Sequence, residues 1–157
     1  MKGYADEALK RFNYLAGEID AVYHEAAVKM GLSDSALNIL YTICELGDGC
    51  SQSDVCRLSG ISRQTIHSAI HKLEKEQVIC LQAGPGRNKR VFLTKKGEDI
   101  AKEKVLPLIE MENEIFREWE ERDREELLRL TLKYKDDFKK KLLTMDNNRS
   151  GNEISQI

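Results

Sequence analysis

The sequence predicts a mainly α-helical protein with one small β-hairpin after its midpoint. Of the 157 residues, 41% are hydrophobic and 33% are charged, which is typical of a folded chain with a strongly charged helical surface. Apolar residues recur every three or four positions along most of the chain, as in amphipathic helices. Two short β-prone runs, 78–81 and 91–93, interrupt this period and enclose a loop that contains glycine and proline.

The first predicted element is a long amphipathic helix from Ala5 to Met30, with Gly31 as its C-terminal stop. Such a helix is longer than the average of about 11 residues, so it is expected to pack against more than a small local core, such as a partner subunit. A second helix follows, with Ser33 as its N-cap and Gly47 at its end.

A short helix, a tight turn and another helix come next. Ser51 and Asp54 form a capping pair at the start of the short helix, which ends at Leu58. Gly60 supplies the turn, and Ser62 is the predicted N-cap of the following helix. This order is the helix-turn-helix pattern, and the hairpin that follows it would form a β-wing.

The helix that begins at Ser62 is expected to contact DNA. Its apolar positions share one stripe: Ile66, Ala69, Ile70 and Leu73. No acid occurs from Ser62 to Leu73, and the opposite face carries hydrogen-bonding groups and cations suited to base edges and phosphates. Residues 62–96 hold eight cations against two acids. The candidate DNA-binding residues in the helix and wing are Ser62, Arg63, Gln64, Thr65, His67, Ser68, Lys72, Arg87, Asn88, Lys89 and Arg90.

Helices return after the wing. One is predicted from Lys95 to Trp119, with a kink at Pro107, and another opens at the capping pair Asp123 and Glu126. The chain becomes polar from about Thr144, where disorder is expected. The predicted domains are a helical dimerisation domain of residues 1–32 and 95–143, a winged helix-turn-helix DNA-binding domain of residues 33–94, and a disordered tail of residues 144–157.

Three motifs occur in order between Ser51 and Gly97. They are Gly60-Ile61-Ser62, Leu73-Glu74-Lys75-Glu76 and Leu93-Thr94-Lys95-Lys96-Gly97. With them, the chain from about Leu9 to Leu143 resembles the MarR-type (multiple antibiotic resistance regulator) winged helix-turn-helix family. That family usually has Asp two residues before its wing arginine, whereas Pro85 precedes Arg87 here. The resemblance implies a homodimer held by the first and last two helices, a pseudo-palindromic double-stranded DNA operator, and release by a small ligand.

A ligand site is expected at the junction of the first helix, the second helix and the helix from Lys95. Tyr23, His24 and Tyr41 bring aromatic and polar groups to this junction, and junctions are where pockets form. The implied effector is a phenolic or aromatic small molecule.

Metal, redox and catalytic chemistry have weaker support. His67 and His71 lie four residues apart, but no third ligand has a suitable spacing, so no metal is expected. The four cysteines, at positions 44, 50, 56 and 80, lack the close pairing of zinc motifs and are expected to remain thiols. No catalytic constellation or cofactor fingerprint is present, so neither an enzyme nor a cofactor is expected.

The sequence therefore favours a homodimeric DNA-binding transcriptional regulator. The more specific prediction is that this regulator is a ligand-responsive repressor. Two alternatives remain: a winged-helix module that binds protein instead of DNA, and a regulator that senses redox state through cysteine. No apolar run is long enough to span a bilayer, and charges throughout the first thirty residues leave no signal-peptide core, so a cytoplasmic location is expected.

Overall fold

The computed structural model describes residues 4–84 and 88–153, with side chains described as far as residue 145. It confirms a mainly α-helical fold with a small β-wing. In chain order the elements are α1 (Glu7–Met30), α2 (Asp34–Leu46), β1 (Cys50–Ser51), α3 (Gln52–Leu58), α4 (Arg63–Lys75), β2 (Ile79–Ala83), β3 (Lys89–Leu93), α5 (Lys95–Ile100), a π-helical turn (Ala101–Val105), α6 (Leu106–Glu118) and α7 (Glu121–Glu153).

Side-chain caps begin the helices where the sequence predicts them. The hydroxyl oxygen of Ser51 accepts from the Asp54 backbone N–H at 3.0 Å, and that of Ser62 accepts from the Thr65 N–H at 3.2 Å. Ser33 caps α2 in the same way. These bonds satisfy backbone donors that the first turn of a helix leaves without a partner, and they fix where each helix starts.

The capping pair predicted for the last helix is wrong, because the helix begins three residues earlier than Asp123 as N-cap would require. α7 begins at Glu121, and the backbone N–H groups of Asp123 and Arg124 both donate to the Glu120 carbonyl. Asp123 therefore lies inside the first turn, where its negative charge still favours the positive end of the helix dipole.

The wing is a three-stranded antiparallel sheet in the order β1-β3-β2. Cys80 pairs with Phe92 and Leu81 with Val91 in the predicted hairpin, while Cys50 of β1 pairs with Val91 on the other edge of β3. β1 was not predicted, because a strand of two residues has no alternating pattern to detect.

The hydrophobic core of the winged helix is built around α2. Its Ile39, Leu40 and Ile43 are essentially inaccessible to solvent and belong to one buried cluster with Ile66 and Ile70 of α4. The remaining fully buried large side chains in this cluster are Val55, Ile79, Val91 and Val105. The predicted apolar stripe of α4 is thus confirmed as its buried face.

The helix predicted from Lys95 to Trp119 is divided by the π-helical turn Ala101–Val105. Here the Leu106 backbone N–H donates to the Ala101 carbonyl, five residues back. Pro107 follows at once, has no N–H to donate and crowds the carbonyl four residues before it, which lies inside the turn. The interruption therefore falls where proline predicts a kink.

The chain forms two compact units, Met1–Glu110 and Met111–Ile157. In the second unit, Phe116 and Trp119 stack with their ring centroids 5.7 Å apart, and Arg129 donates to both carboxylate oxygens of Glu126 at 2.7 Å. α7 is helical to Glu153, whereas residues 154–157 lie outside the described residues. The boundaries of the functional domains and of the disordered tail stay predictions. Among the described helices, none combines the length and apolar character that crossing a membrane requires.

We expect Gly97→Ala to destabilise the winged helix. Gly97 is buried at the start of α5, where an added Cβ would press on the backbone carbonyl of Val78. The change should lower the free energy of unfolding by about 1–3 kcal/mol, measured by urea denaturation at fixed protein concentration. Gly17→Ala is the matched control, because nothing lies within 4 Å of its added Cβ. That change should be stabilising by about 0.5–1 kcal/mol, through helix propensity alone. Equal losses in the two variants would contradict the packing argument.

Candidate nucleic-acid interface and ligand cleft

The outward face of α4 carries all the candidate DNA-binding residues of this helix. Ile66 and Ile70 are fully buried and Leu73 is 3% exposed, whereas the polar residues of the opposite side are exposed. The exposed residues are Ser62, Arg63, Gln64, Thr65, His67, Ser68 and Lys72. The structure therefore brings these predicted residues together on one surface.

At the start of α4 two hydroxyl groups hold each other in place. The oxygen atoms of Ser62 and Thr65 are 2.8 Å apart, and Ser62 also accepts the Thr65 backbone N–H. No acid occurs in the first turn of this helix. The positive end of its dipole is thus left without an acidic side chain nearby in sequence, as suits an approaching anion.

His67 joins α4 to α3. The Gln52 side-chain nitrogen lies 2.9 Å from His67 Nδ1. When this amide N–H donates, Nδ1 is the acceptor and the ring proton resides on Nε2, which then remains available as an outward donor. His71 faces Glu74 at 3.7 Å, so each histidine has its own partner on the protein. In the described part of the chain, no group of three or more potential ligand side chains could hold a metal ion.

Three of the four candidate DNA-binding residues of the wing lie among the residues that the structure describes. Asn88, Lys89 and Arg90 are exposed. Arg87, together with Pro85 and Gly86, lies outside the described residues.

Arg90 has a structural contact that the sequence did not reveal. Its guanidinium donates to the Gly49 carbonyl at 2.7 Å, and nearby the Asp48 carboxylate accepts from the Leu93 backbone N–H at 2.8 Å. Both bonds fasten β3 to the turn that follows α2. Only the tertiary fold brings these segments together, because more than forty residues of chain separate the partners.

Lys72 and two other lysines surround a small cavity of about 260 Å³. Lys96 donates to the Glu76 carbonyl at 2.9 Å, and Lys104 donates to the Met30 carbonyl at 2.6 Å, at the end of α1. These two ammonium groups therefore bind backbone carbonyls at the C-terminal ends of α4 and α1. The ammonium group of Lys72 lies 4.0 Å from the Glu76 carboxylate, and its side chain is mostly exposed.

A larger cleft of about 590 Å³ lies in the first compact unit. Its lining contains all three predicted ligand-site residues, Tyr23, His24 and Tyr41. The other lining residues are Asp20, Asp34, Leu37, Asn38, Thr42, Glu45, Leu58 and Ile61. The lining comes from α1, α2, α3 and the turn before α4, and the helix from Lys95, which was expected at the ligand site, contributes no residue to this cleft.

One pair of side chains in the cleft bridges α1 and α2. His24 Nδ1 lies 2.9 Å from Asp34 Oδ1 and 3.1 Å from Oδ2. Asp20, Asp34 and Glu45 also line the cleft and were not predicted as ligand-site residues. Helical spacing could have found two of them, because Asp20 is three and four residues before Tyr23 and His24, and Glu45 is four after Tyr41.

Two of the four thiols, Cys44 and Cys50, have a raised pKa. Burial raises the pKa of Cys44, and burial together with the negative charge of Asp54 raises the pKa of Cys50. Cys56 and Cys80 are half-buried. Because the thiolate is the reactive form, a raised pKa disfavours oxidation at Cys44 and Cys50.

Comparisons with known proteins confirm the MarR-type resemblance. A model of the MarR family matches residues 30–87, from the end of α1 into the wing. A MarR-family transcriptional regulator from Rhodococcus sp. RHA1 is 20% identical, with 84% of this chain and 94% of that chain covered and a TM-score of 0.61. Staphylococcus aureus MepR in a complex with DNA is 18% identical, with 87% of this chain and 99% of that chain covered and a TM-score of 0.63. A MarR protein from Peptoclostridium difficile is 15% identical, with 90% of this chain and 93% of that chain covered and a TM-score of 0.66. At these identities the structures share the fold, and no curated protein matches the sequence.

We expect Cys44 and Cys50 to react slowly with iodoacetamide in the folded protein at neutral pH. Their raised pKa leaves less thiolate than in the unfolded chain, and burial restricts access. Mass spectrometry of tryptic peptides, labelled with and without urea, would give the rate at each position. Equal rates in the two conditions would contradict this prediction and favour the cysteine-sensing alternative.

Proposed function

We propose that this chain, which resembles the MarR family in both sequence and fold, is a transcriptional regulator that binds double-stranded DNA as a homodimer. The observation that carries the proposal is the exposed face of α4, which contains no acid from Ser62 to Leu73 while its other face is buried in the core. The fold shared with MepR, which was solved in a complex with DNA, supports the same interpretation.

In the proposed complex, α4 enters the major groove. Gln64 and Ser68 lie on its exposed N-terminal half, where a recognition helix contacts base edges. Arg63, Thr65 and His67 then contact bases or backbone, and Nε2 of His67 is a suitable donor. Lys72, near the C-terminal end, acts on phosphate and contributes affinity for all sequences.

The wing would contact the neighbouring minor groove. Lys89 and Arg90 are exposed cations on β3, and Asn88 precedes them at the end of the loop. Arg87 completes the proposed contact, as an arginine that enters a narrow A·T-rich groove. Arg90 contributes at most part of its guanidinium, because one of its donors is engaged by Gly49.

Dimerisation is supported by apolar side chains that one copy leaves in water. On α1, Leu15, Ile19 and Val22 are 50%, 59% and 65% exposed. In the second compact unit, Leu128 and Phe138 of α7 are also more than half exposed. Contiguous apolar faces of this kind mark protein interfaces, and a homodimer with two-fold symmetry buries the same face of both subunits.

The cleft supports a ligand-responsive repressor as the finer form of this proposal. Its lining joins α1 and α2 to the turn that leads into α4, so a bound aromatic or phenolic molecule would contact the support of the recognition helix. Such a molecule would weaken DNA binding only if it prefers an arrangement of these elements that DNA does not.

We expect Gln64→Ala to lower affinity for the specific operator by about 1–3 kcal/mol and to change affinity for random DNA little, because a base-edge contact is lost. Lys72→Ala is the contrasting control: it should weaken both DNAs alike and reduce the salt slope by about one. Operators selected from sheared genomic DNA, titrated by fluorescence anisotropy at two salt concentrations, would measure both effects. No binding of the parent protein to any DNA would instead favour the protein-interaction module.

The protein should be a dimer at micromolar concentration. Light scattering coupled to size-exclusion chromatography measures the mass directly, and the dimer should have twice the monomer mass of 18.0 kDa. Ile19→Glu should shift the mass toward the monomer, because it places a charge on the exposed apolar face of α1. Glu18→Gln, one residue away, is the control and should leave the mass unchanged. A monomeric parent protein would overturn the dimer.

A further inference from the structure

We infer that the cleft lined by α1 and α2 binds an aromatic organic cation. This inference rests on the proposed ligand response and names the chemical class of the ligand. It depends on the charge, the aromatic groups and the size of the cleft.

The charge of the lining is negative. Asp20, Asp34 and Glu45 contribute three carboxylates, and the lining residues include neither lysine nor arginine. Asp34 faces His24, whereas the side chains of Asp20 and Glu45 form no hydrogen bond or ion pair within the described part of the chain. Two carboxylates are therefore available to a ligand without the loss of an existing contact.

The aromatic groups suit the same ligand. Tyr23 and Tyr41 contribute aromatic rings from two different helices, and the face of such a ring attracts a cation. Leu37, Leu58 and Ile61 supply apolar surface for the rest of the molecule. The volume of about 590 Å³ lies within the range of about 300–1,000 Å³ that is typical of sites for small organic ligands.

An aromatic acid fits this lining poorly. Its carboxylate would lie among three others, and like charges in a partly enclosed site repel one another. The only lining group able to carry a compensating positive charge is His24, and its Nδ1 is already 2.9 Å from Asp34. The charge of the cleft thus selects a cation over an acid among aromatic ligands.

Binding of a cation near Asp34 would change the contact between His24 and Asp34. A positive group that approaches Asp34 competes with His24, and this pair joins α1 to α2. A ligand that replaces one partner of the bridge would favour a different spacing of the two helices.

Isothermal titration calorimetry of the full chain with tetraphenylphosphonium, and with tetraphenylborate in potassium-free buffer, provides the test. The two probes have nearly the same shape and opposite charge. The phosphonium should bind and the borate should not. Asp20→Asn and Glu45→Gln should each weaken phosphonium binding about threefold to tenfold, because one attractive charge is removed.

Glu18→Gln is the matched control, because it removes a carboxylate of α1 that does not line the cleft. It should change the dissociation constant less than about twofold, as expected of a solvent-exposed and screened charge outside the cleft. The inference is overturned if the borate binds as tightly as the phosphonium, or if both lining variants bind the phosphonium as the parent does.

A DNA titration with and without the phosphonium separates this inference from the proposed function. Phosphonium binding that depends on Asp20 and Glu45 supports the inference even if the protein binds no DNA, a result that would refute the proposed function alone. Phosphonium binding that leaves DNA affinity unchanged also supports the cation site, but removes ligand response from the proposed function.

Discussion

The burial of Ile66, Ile70 and Leu73 against α2 is the constraint on which the candidate DNA interface depends. Side chains on a helix are fixed relative to one another at about 100° per residue, so burying this stripe determines which residues face outward. Turning α4 by one position would move a charged or polar neighbour into a core whose described side chains are almost all apolar. Because burying an unpaired polar group costs several kcal/mol, the core selects one rotation of the helix. The surface proposed to contact DNA is thus a consequence of hydrophobic packing on the opposite side of α4.

Val78 extends this constraint from the helix to the wing. Its backbone N–H donates to the Leu73 carbonyl at the end of α4, and its carbonyl accepts from the Thr94 N–H at the start of α5. Gly97 lies against the same carbonyl, where only a residue without a side chain fits. The backbone of one residue therefore joins α4, the base of the hairpin and the following helix. The wing and α4 are held in a fixed relation at this point, as their proposed contact with one DNA molecule requires.

The features predicted correctly from sequence are those that depend on near neighbours in the chain. A capping serine acts on a backbone group three residues away, and the stripe of α4 repeats within one helix, so both are visible as spacing. The strand Cys50–Ser51 and the bond from Arg90 to Gly49 were missed, because each depends on a partner about forty residues distant. The cleft was only half predicted for the same reason. Its aromatic residues were predicted one at a time. Helical spacing could have added Asp20 and Glu45, whereas the three carboxylates come together as one negative lining only where α1 packs beside α2.

The cleft and α4 share a stretch of backbone, and this supplies a physical route for the proposed ligand response. Leu58 and Ile61 line the cleft and enclose the turn that Ser62 then ends as the cap of α4. Asn38 of α2, another lining residue, donates to the Ser59 carbonyl inside that turn at 3.5 Å. A ligand that changes how α1 and α2 meet would therefore act first on the residues that start α4. The coupling is limited by how much better the ligand binds one arrangement than the other, typically about 1–3 kcal/mol. That range is comparable to the contribution of one base contact, so a shift confined to the first turn of α4 is sufficient to weaken operator binding.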